Sequence, residues 1–466
     1  MATATPTAVS SLDRRLGPFD AAAIIVSNVI GGGILFSPPQ IAALVPSAVL
    51  FLSTWVAGGL LAFAGAMAYA ELAALKPRAG GEYVYLRAAF GPMAAFLTGW
   101  TSFVAGFSGA IATSAVVLAY YLGRFLPAAS NSTPFFSLTI LPGIFTLDFS
   151  PNSMVAIAAI FGMAWIHLRG VGPGRLVSDV LAVLKVAAFV LFVAIGFSLG
   201  QGETGNLAQT AQVAPRGWLL ALIPVMFTYS GWNAASYVAE EVRDPGRNVP
   251  LALALGTGAV IVIYLLLNAL YLYVLPAGAL AQVKGSVLDV VADRLLGAAA
   301  GNTMSIVSIV SLLATISAMT FAGPRVYFAM ARDGLFFRRA AAIHPRYRTP
   351  ATAIMAQALW SALLVLSARA ETLLTYTGFA IVLFSGVAVV ALFVLRAKQP
   401  DAERPFRAWG YPIAPGIYVI GSALIVVNAL VTTPGRTGWG AVIIAAGLPI
   451  YLVVRRRQKQ LGMTAE

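Results

Sequence analysis

Two stretches of this chain carry residues whose chemistry does not suit an unbroken apolar helix. The first is Ile30-Gly31-Gly32-Gly33-Ile34, followed by Ser37-Pro38-Pro39; the second is Thr228-Tyr229-Ser230-Gly231-Trp232-Asn233, preceded by Pro224. Three glycines in succession cost about 1 kcal/mol each relative to alanine inside a helix. In lipid, the backbone groups they free cost more still unless the site is buried in protein or lines a cavity. Unwound there, the N–H groups that begin the next half-helix can bind a carboxylate, and the carbonyls that end the facing half-helix can accept bonds from an ammonium. Two such breaks side by side suit a zwitterion, of which an amino acid is the simplest. Close helix packing is the alternative use of glycine. It fits Gly58, Gly59, Gly65, Gly106 and Gly109 better than a consecutive triplet, because packing calls for small residues four apart.

A third residue stands out by its isolation. Lys185 lies nine residues beyond Leu176 in an apolar run, so it sits about 14 Å deep at 1.5 Å per residue, beyond the reach of a snorkelling side chain. A charge at the bilayer centre costs at least about 2.5 kcal/mol, so Lys185 faces the bundle interior and is either held by polar groups or neutral. As no intramembrane acid is in evidence, hydroxyls and carbonyls are the expected partners. Glu71, Asp179, Glu240 and Glu241 fall near span ends, where solvated or gate-forming roles are expected. The serines and threonines at 305, 308, 311, 315, 317 and 320 offer the hydroxyls, although several will bond back to their own helix.

The elements that position these residues follow from composition. The 466 residues are 59% hydrophobic and 10% charged, with a mean hydropathy of +0.85. A soluble domain carries about 25% charged residues. Apolar runs of about 20 residues recur along the chain, predicting spans near 18–45, 48–75, 92–123, 152–168, 176–199, 217–240, 249–275, 301–331, 350–367, 372–395, 412–432 and 438–454. The expected fold is an all-α integral membrane protein of about twelve helices in a single domain over 1–466. The two breaks stand in corresponding halves, about 18–199 and 217–395, the signature of an inverted repeat with its binding site between the halves. Two further helices follow at about 412–454. Residues 1–16 lack a signal-peptide pattern, so the first span is expected to remain in place.

The net charge of +13 does not call for nucleic acid. With the N-terminus inside, the inner loops and tails hold about 23 Lys and Arg against about six outside, which predicts a multi-pass inner-membrane protein with both termini cytoplasmic. Acidic lipid and translocation account for the cationic loops, and no basic module interleaved with aromatics is present. Cysteine is absent, which excludes disulfides, thiolate metal sites and cysteine nucleophiles. The two histidines, His167 and His344, lack ligand-spaced partners and are expected at surfaces, so no metal and no cofactor is expected. Paired intramembrane carboxylates, a histidine-rich metal set or an activated nucleophile would mark an enzyme, and none is found. Outer loops 124–151 and 200–216 read as turns. By contrast, 287–296 has helical apolar spacing and 333–349 reads as an interfacial helix.

Taken together, the glycine break at 31–33, Phe227 to Asn233 with Ala239-Glu240-Glu241, Arg247-Asn248-Val249-Pro250, Arg325 to Gly334, Pro400 to Pro405 and Gly447-Leu448-Pro449-Ile450-Tyr451 resemble the amino acid–polyamine–organocation superfamily, L-type branch. The resemblance implies a LeuT-like five-plus-five inverted repeat with two added helices. It implies that Gly31, Gly32 and Gly33 hold a substrate carboxylate, that Ile30, Phe227 and Ser230 lie against its amino group, and that Phe227 gates it while Asn233 serves transport. It further implies that Lys185 replaces a sodium ion between the first, fifth and eighth spans with Thr315 as hydroxyl partner; Lys185, Thr315 and Trp232 form the coupling and gating set. Ser108 and Phe379 are candidates for shaping the pocket. Many relatives carry Ser or Thr at the position of Gly32, and some a larger residue at that of Ala234. Eukaryotic members pair with a glycoprotein through a cysteine, a bond this chain cannot make. The function implied is sodium-independent uniport or exchange of neutral L-amino acids. The alternatives are proton-coupled symport through Lys185, or polyamine or cationic amino acid exchange.

Overall fold

A computed structural model gives the fold and describes residues 12–141, 145–199, 202–367, 370–432 and 434–460. Among the described residues nine helices are long and apolar enough to cross a membrane, from Ala48–Leu75 to Gly438–Arg456. A tenth span is the pair Pro18–Val29 and Gly32–Leu44, bent by 46° at the glycines. The eleventh is the shorter apolar helix Ala351–Leu366. The twelfth is Pro215–Tyr229, continued past a break by Ala234–Tyr237 and a 3-10 turn at Ala239–Glu241. Numbered along the chain, these make twelve spans in which the first and sixth are the broken ones.

The end of the bundle rich in Lys and Arg is called inner here. At that end the chain segment before the first span is stitched to the end of the sixth: the N–H groups of Arg15 and Leu16 donate to the Glu241 carbonyl at 2.9 Å each, and that of Arg243 donates to the Leu16 carbonyl at 2.9 Å. Three acidic residues at the inner span ends sit in ion pairs, Glu71 and Glu241 buried and Glu240 half-buried. Glu241 receives Arg325 at 2.7 and 3.1 Å, Glu71 receives Arg396 at 2.6 and 2.9 Å and the Ala408 N–H at 2.7 Å, and Glu240 receives Arg332 at 2.9 Å. The solvated role open to Glu71 and Glu241 therefore does not hold, because both are buried, Glu241 against Arg325 and Glu71 against Arg396 and Arg404, and would be stranded without them.

The third span is interrupted as well. A π-helical turn at Ser102–Gly106 separates Pro92–Thr101 from Phe107–Leu122. Carbonyls around it take side-chain donors from other spans, the Tyr327 hydroxyl on Ser102 at 3.1 Å and the Trp360 indole on Val104 at 2.9 Å, which offsets the cost of irregular backbone in lipid.

Several connections differ from the expected turns. The loop after the third span contains an antiparallel hairpin, Phe136–Leu141 with Phe145–Phe149, whose alternating Phe, Leu and Thr the count of turn residues passed over. The outer helix is present as Val287–Leu296, with Val287, Leu288, Val291 and Leu295 buried. The interfacial helix expected at 333–349 is only a 3-10 turn at Arg338–Ala341, since Phe336 turns inward to pack against Phe103 and Tyr327. His167 is buried, its Nε2 2.9 Å from the Ser317 hydroxyl, whereas His344 is half-exposed. Unforeseen is a short inner helix, Glu82–Phe90, between the second and third spans.

Candidate substrate site at two broken spans

Helix Pro18–Val29 stops because Ile30 and Gly31 leave helical geometry, at φ −75°, ψ 94° and φ −142°, ψ −147°. The next helix starts at Gly32 despite Pro38 and Pro39 within it. No backbone acceptor faces the N–H groups of Gly31, Gly32 or Gly33 among the described residues, and the first turn of a helix supplies none. The three glycines are not equivalent. A Cβ on Gly33 would stand 3.0 Å from the Thr228 Cα, and one on Gly31 would stand 3.1 Å from the Thr315 hydroxyl, while one on Gly32 would meet nothing within 4 Å. Gly33 therefore permits a close crossing of the outer halves of the first and sixth spans, and Gly32 faces open space.

The sixth span breaks across Ser230 to Asn233. Gly231 takes φ +100°, and a Cβ there would lie 2.7 Å from the Asn28 Nδ2, which itself donates to the Gly231 carbonyl at 3.3 Å. Both conformation and space demand glycine. The Tyr264 hydroxyl of the seventh span joins the two breaks, reaching the carbonyls of Val29 at 2.8 Å and Thr228 at 3.1 Å. Phe227 is half-buried one turn above and faces the tenth span, where a Cβ on Gly378 would lie 3.1 Å from its ring.

Lys185 is fully buried. Its ammonium donates to the carbonyls of Ile30 and, at 3.0 Å, Ser27, with the Thr315 hydroxyl at 3.4 Å. Thr315 also reaches the Ser27 carbonyl at 3.0 Å and the Ile30 carbonyl at 3.3 Å, and Ser311 adds a donor to Ile30 at 3.2 Å. A carbonyl has two lone pairs, so the Ile30 carbonyl is occupied by the protein's own donors in this structure. At the same break Ser27 Oγ and Asn28 Oδ1 are buried and have no partner among the described residues, which leaves two acceptors for an incoming ammonium.

The structure thus brings Ile30, the three glycines, Phe227, Ser230, Lys185 and Thr315 to one crossing. Two other named residues turn away from it. Trp232 is buried edge-on against Tyr69, at 4.8 Å between centroids, and Tyr418, at 5.7 Å. Asn233 points its Nδ2 toward the inner end, to Glu82 at 2.7 Å and the Tyr237 hydroxyl at 3.0 Å. Ser108 is buried on the third span, and the Phe379 side chain lies outside the described residues.

Reasoning from the sequence missed Glu82, Asn28 and Tyr264. Glu82 is 6% exposed and receives the Tyr69 hydroxyl at 2.7 Å. Burial pushes its carboxyl up to about 7, against the hydrogen bonds of Tyr69, Tyr237 and Asn233 that hold it down. Gly80-Gly81 just before it was the available signal: a Cβ on Gly81 would lie 2.6 Å from the Tyr237 ring. Among the described residues no group of three His, Asp or Glu could hold a metal.

Comparison with known proteins adds a family model described as amino acid permease, which matches residues 16–454. The chain is 30% identical over 454 residues to the large neutral amino acids transporter small subunit 2 of Homo sapiens, covering 95% of this chain and 81% of that one. It is 24% identical over 451 residues to the serine/threonine exchanger SteT of Bacillus subtilis, covering 96% and 98%. It is 27% identical over 452 residues to the Asc-type amino acid transporter 1 of Mus musculus, covering 95% and 81%.

Proposed function

We propose, given that this chain belongs to the amino acid permease family, that it carries neutral L-amino acids across the membrane by alternating access without sodium. The observation that supports this most is the seat of Lys185. Its ammonium takes up the carbonyls of Ser27 and Ile30 beside Thr315, a donor set of oxygens that would otherwise suit a bound cation, so coupling to sodium has no site there. The substrate carboxylate binds the N–H groups of Gly31, Gly32 and Gly33, at the positive end of the outer half-helix. The ammonium binds carbonyls of the sixth-span break around Phe227 and Ser230, with Asn28 Oδ1 in reach of the same crossing. Phe227 closes over it.

Neutrality of the substrate side chain is supported by where the acids lie among the described residues: Glu82, which has no arginine, is buried below the sixth-span break and held by Tyr69 and Asn233. Glu71, Glu240 and Glu241 are each committed to arginine, and a cationic or polyamine substrate would lack a counter-ion. The two halves, about 18–199 and 217–395, rock about this site, with helices from about 412 to 454 packed outside. Lysine and arginine excess puts both termini in the cytoplasm of a cell whose inner membrane holds the protein. The relatives' range, from large neutral amino acids to serine and threonine, fits a carrier that works by itself, because a chain without cysteine forms no disulfide with a second subunit. It has no catalytic step.

The test is reconstitution of the full chain in liposomes, with uptake of one labelled neutral amino acid challenged by each of the twenty unlabelled ones in sodium and in choline buffer. Competition by neutral amino acids, equal in both buffers, is expected. Dependence on sodium, or competition by arginine and polyamines alone, would overturn the proposal.

A further inference from the structure

The cluster around Glu82 is not used by substrate binding, and its chemistry is unusual. A carboxyl that is 6% exposed has no cation within 4 Å among the described residues. Its neighbours are neutral: Tyr69 from the second span, Tyr85 from its own helix, Asn233 and Tyr237 from the inner half of the sixth span, and Tyr418 from the eleventh. Each cation on the elements packed around it is committed elsewhere. Arg325 pairs with Glu241, Arg332 with Glu240, Arg87 with Asp333, Arg396 with Glu71, and Lys398 donates to the Ala89 carbonyl at 3.0 Å. A buried carboxylate among neutral donors pays a desolvation penalty that no ion pair offsets.

The cluster also spans the parts that separate when the inner end opens. The Gly80 N–H donates to the Tyr237 carbonyl at 3.0 Å, and the Ala79 N–H to Glu240 at 3.0 Å. Gly81, at φ +51°, lies so close to Tyr237 and Ser236 that no side chain fits between them. Asn233 is the member that reaches from this seam to the sixth-span break, four residues below which Tyr237 lies. Opening the seam would hydrate Glu82.

We propose that Glu82 is a proton-binding site of the inner gate and the positioning residue for Asn233. The carboxyl holds a proton while the inner half of the sixth span is packed on it, and the proton leaves to the inner solution as the seam opens. The proton then dissociates from the acid oxygen to water, leaving a hydrated carboxylate, and returns before closure. This rests on the reading of the protein as a carrier, and it locates any proton linkage at Glu82 instead of Lys185.

The sign follows from the two environments. The packed carboxyl titrates near 7, and a hydrated glutamate near about 4.3. Between these values closure takes up a proton. As pH rises from about 4.3 toward 7 the open state loses its proton while the packed state keeps it, so the closed population falls by up to about tenfold per pH unit, and above about pH 7 both states are ionised and the dependence levels off.

Two measurements on the full chain test this. In proteoliposomes, counterflow of labelled L-leucine is followed as the inner pH is raised from about 5 to about 8.5, a range covering the slope below the packed value and the plateau above it. The parent is expected to change rate steeply up to about pH 7 and to level off above it, and Glu82→Gln, which keeps an acceptor for Asn233 and Tyr69, to give a flat profile. Tyr69→Phe removes one bond that favours the ionised form and should move the inflection to higher pH. Infrared titration reads the acid itself. A protonated carboxyl band that disappears near pH 7 in the parent and is missing from Glu82→Gln is expected. A parent without that band, a band that persists in Glu82→Gln, or an unaltered pH profile in that variant would overturn the proposal. Should the parent fail to exchange leucine at all, the transport reading falls while the infrared titration still decides Glu82.

Discussion

Gly33 crosses Thr228 so closely that a Cβ on the glycine would stand 3.0 Å from the threonine Cα. Backbone against backbone cannot give way as a side-chain tip would. Yet one residue earlier, Gly32 has no atom within 4 Å of its Cβ position. Adjacent glycines in one motif therefore serve opposite ends, packing and access.

Substitutions separate the two. Gly33→Ala should force the outer halves of the first and sixth spans apart and reduce transport by at least tenfold, about 1.4 kcal/mol or more. Gly32→Ser should fold normally and keep transport within about threefold of the parent, with a lower KM if its hydroxyl reaches the carboxylate. Uptake kinetics in liposomes, with detergent-solution melting as a folding control, check both.

Removing Lys185 leaves the Ser27 and Ile30 carbonyls short of their charged donor. A bond to a charged group is worth about 1.5–3 kcal/mol. Lys185→Ala should lower transport by more than about tenfold and lower the melting temperature. Thr315→Ala, which removes one donor shared between the same carbonyls, should cost about threefold to tenfold. Equal rates for Lys185→Ala and parent in counterflow would refute the assigned seat.

Tyr264 offers a cleaner deletion, because Tyr264→Phe removes one oxygen and keeps the ring. Its hydroxyl is the shared partner of the Val29 and Thr228 carbonyls, one at the end of each half-helix. Loss of the bond should cost about 1 kcal/mol of stability and loosen the crossing, seen as a raised KM with little change in maximal rate.

The Arg325–Glu241 pair is almost wholly buried, and Arg325 Nε lies 2.7 Å from its partner. Arg325→Met alone should destabilise the protein by about 3–5 kcal/mol, since it strands a carboxylate, whereas joining it to Glu241→Gln should recover much of that loss. Thermal melting of the two variants in detergent distinguishes stranding from mere loss of attraction.

Much of this architecture was legible from patterns that lipid enforces. Span lengths followed from apolar runs, and both breaks from glycines that a packed helix would not line up in succession. The depth of Lys185 pointed to the interior by counting residues alone. The serine- and threonine-rich eighth span likewise announced hydroxyls, and Ser311 and Thr315 stand at the first break.

Other features were hidden because they depend on rotamers and long-range meetings. Trp232 sits within the broken segment yet packs between Tyr69 and Tyr418, a direction that no spacing rule fixes. Glu82 carried no signal of its own, since its burial depends on the glycines before it pressing that segment onto Tyr237. His167 lay near a predicted boundary, and only the approach of Ser317 from the eighth span buries it. Tyr264 looked like any aromatic in an apolar run, since its acceptors lie 235 and 36 residues away.

The seam of hydrogen bonds among Arg15, Leu16, Glu241 and Arg243 ties the chain before the first span to the tail of the sixth. The inner portions of both interrupted helices are thereby tied together as one leaf. An affinity tag placed ahead of residue 12 should leave that leaf free to turn, whereas trimming through Leu16 would cut the stitch and leave the carrier ajar.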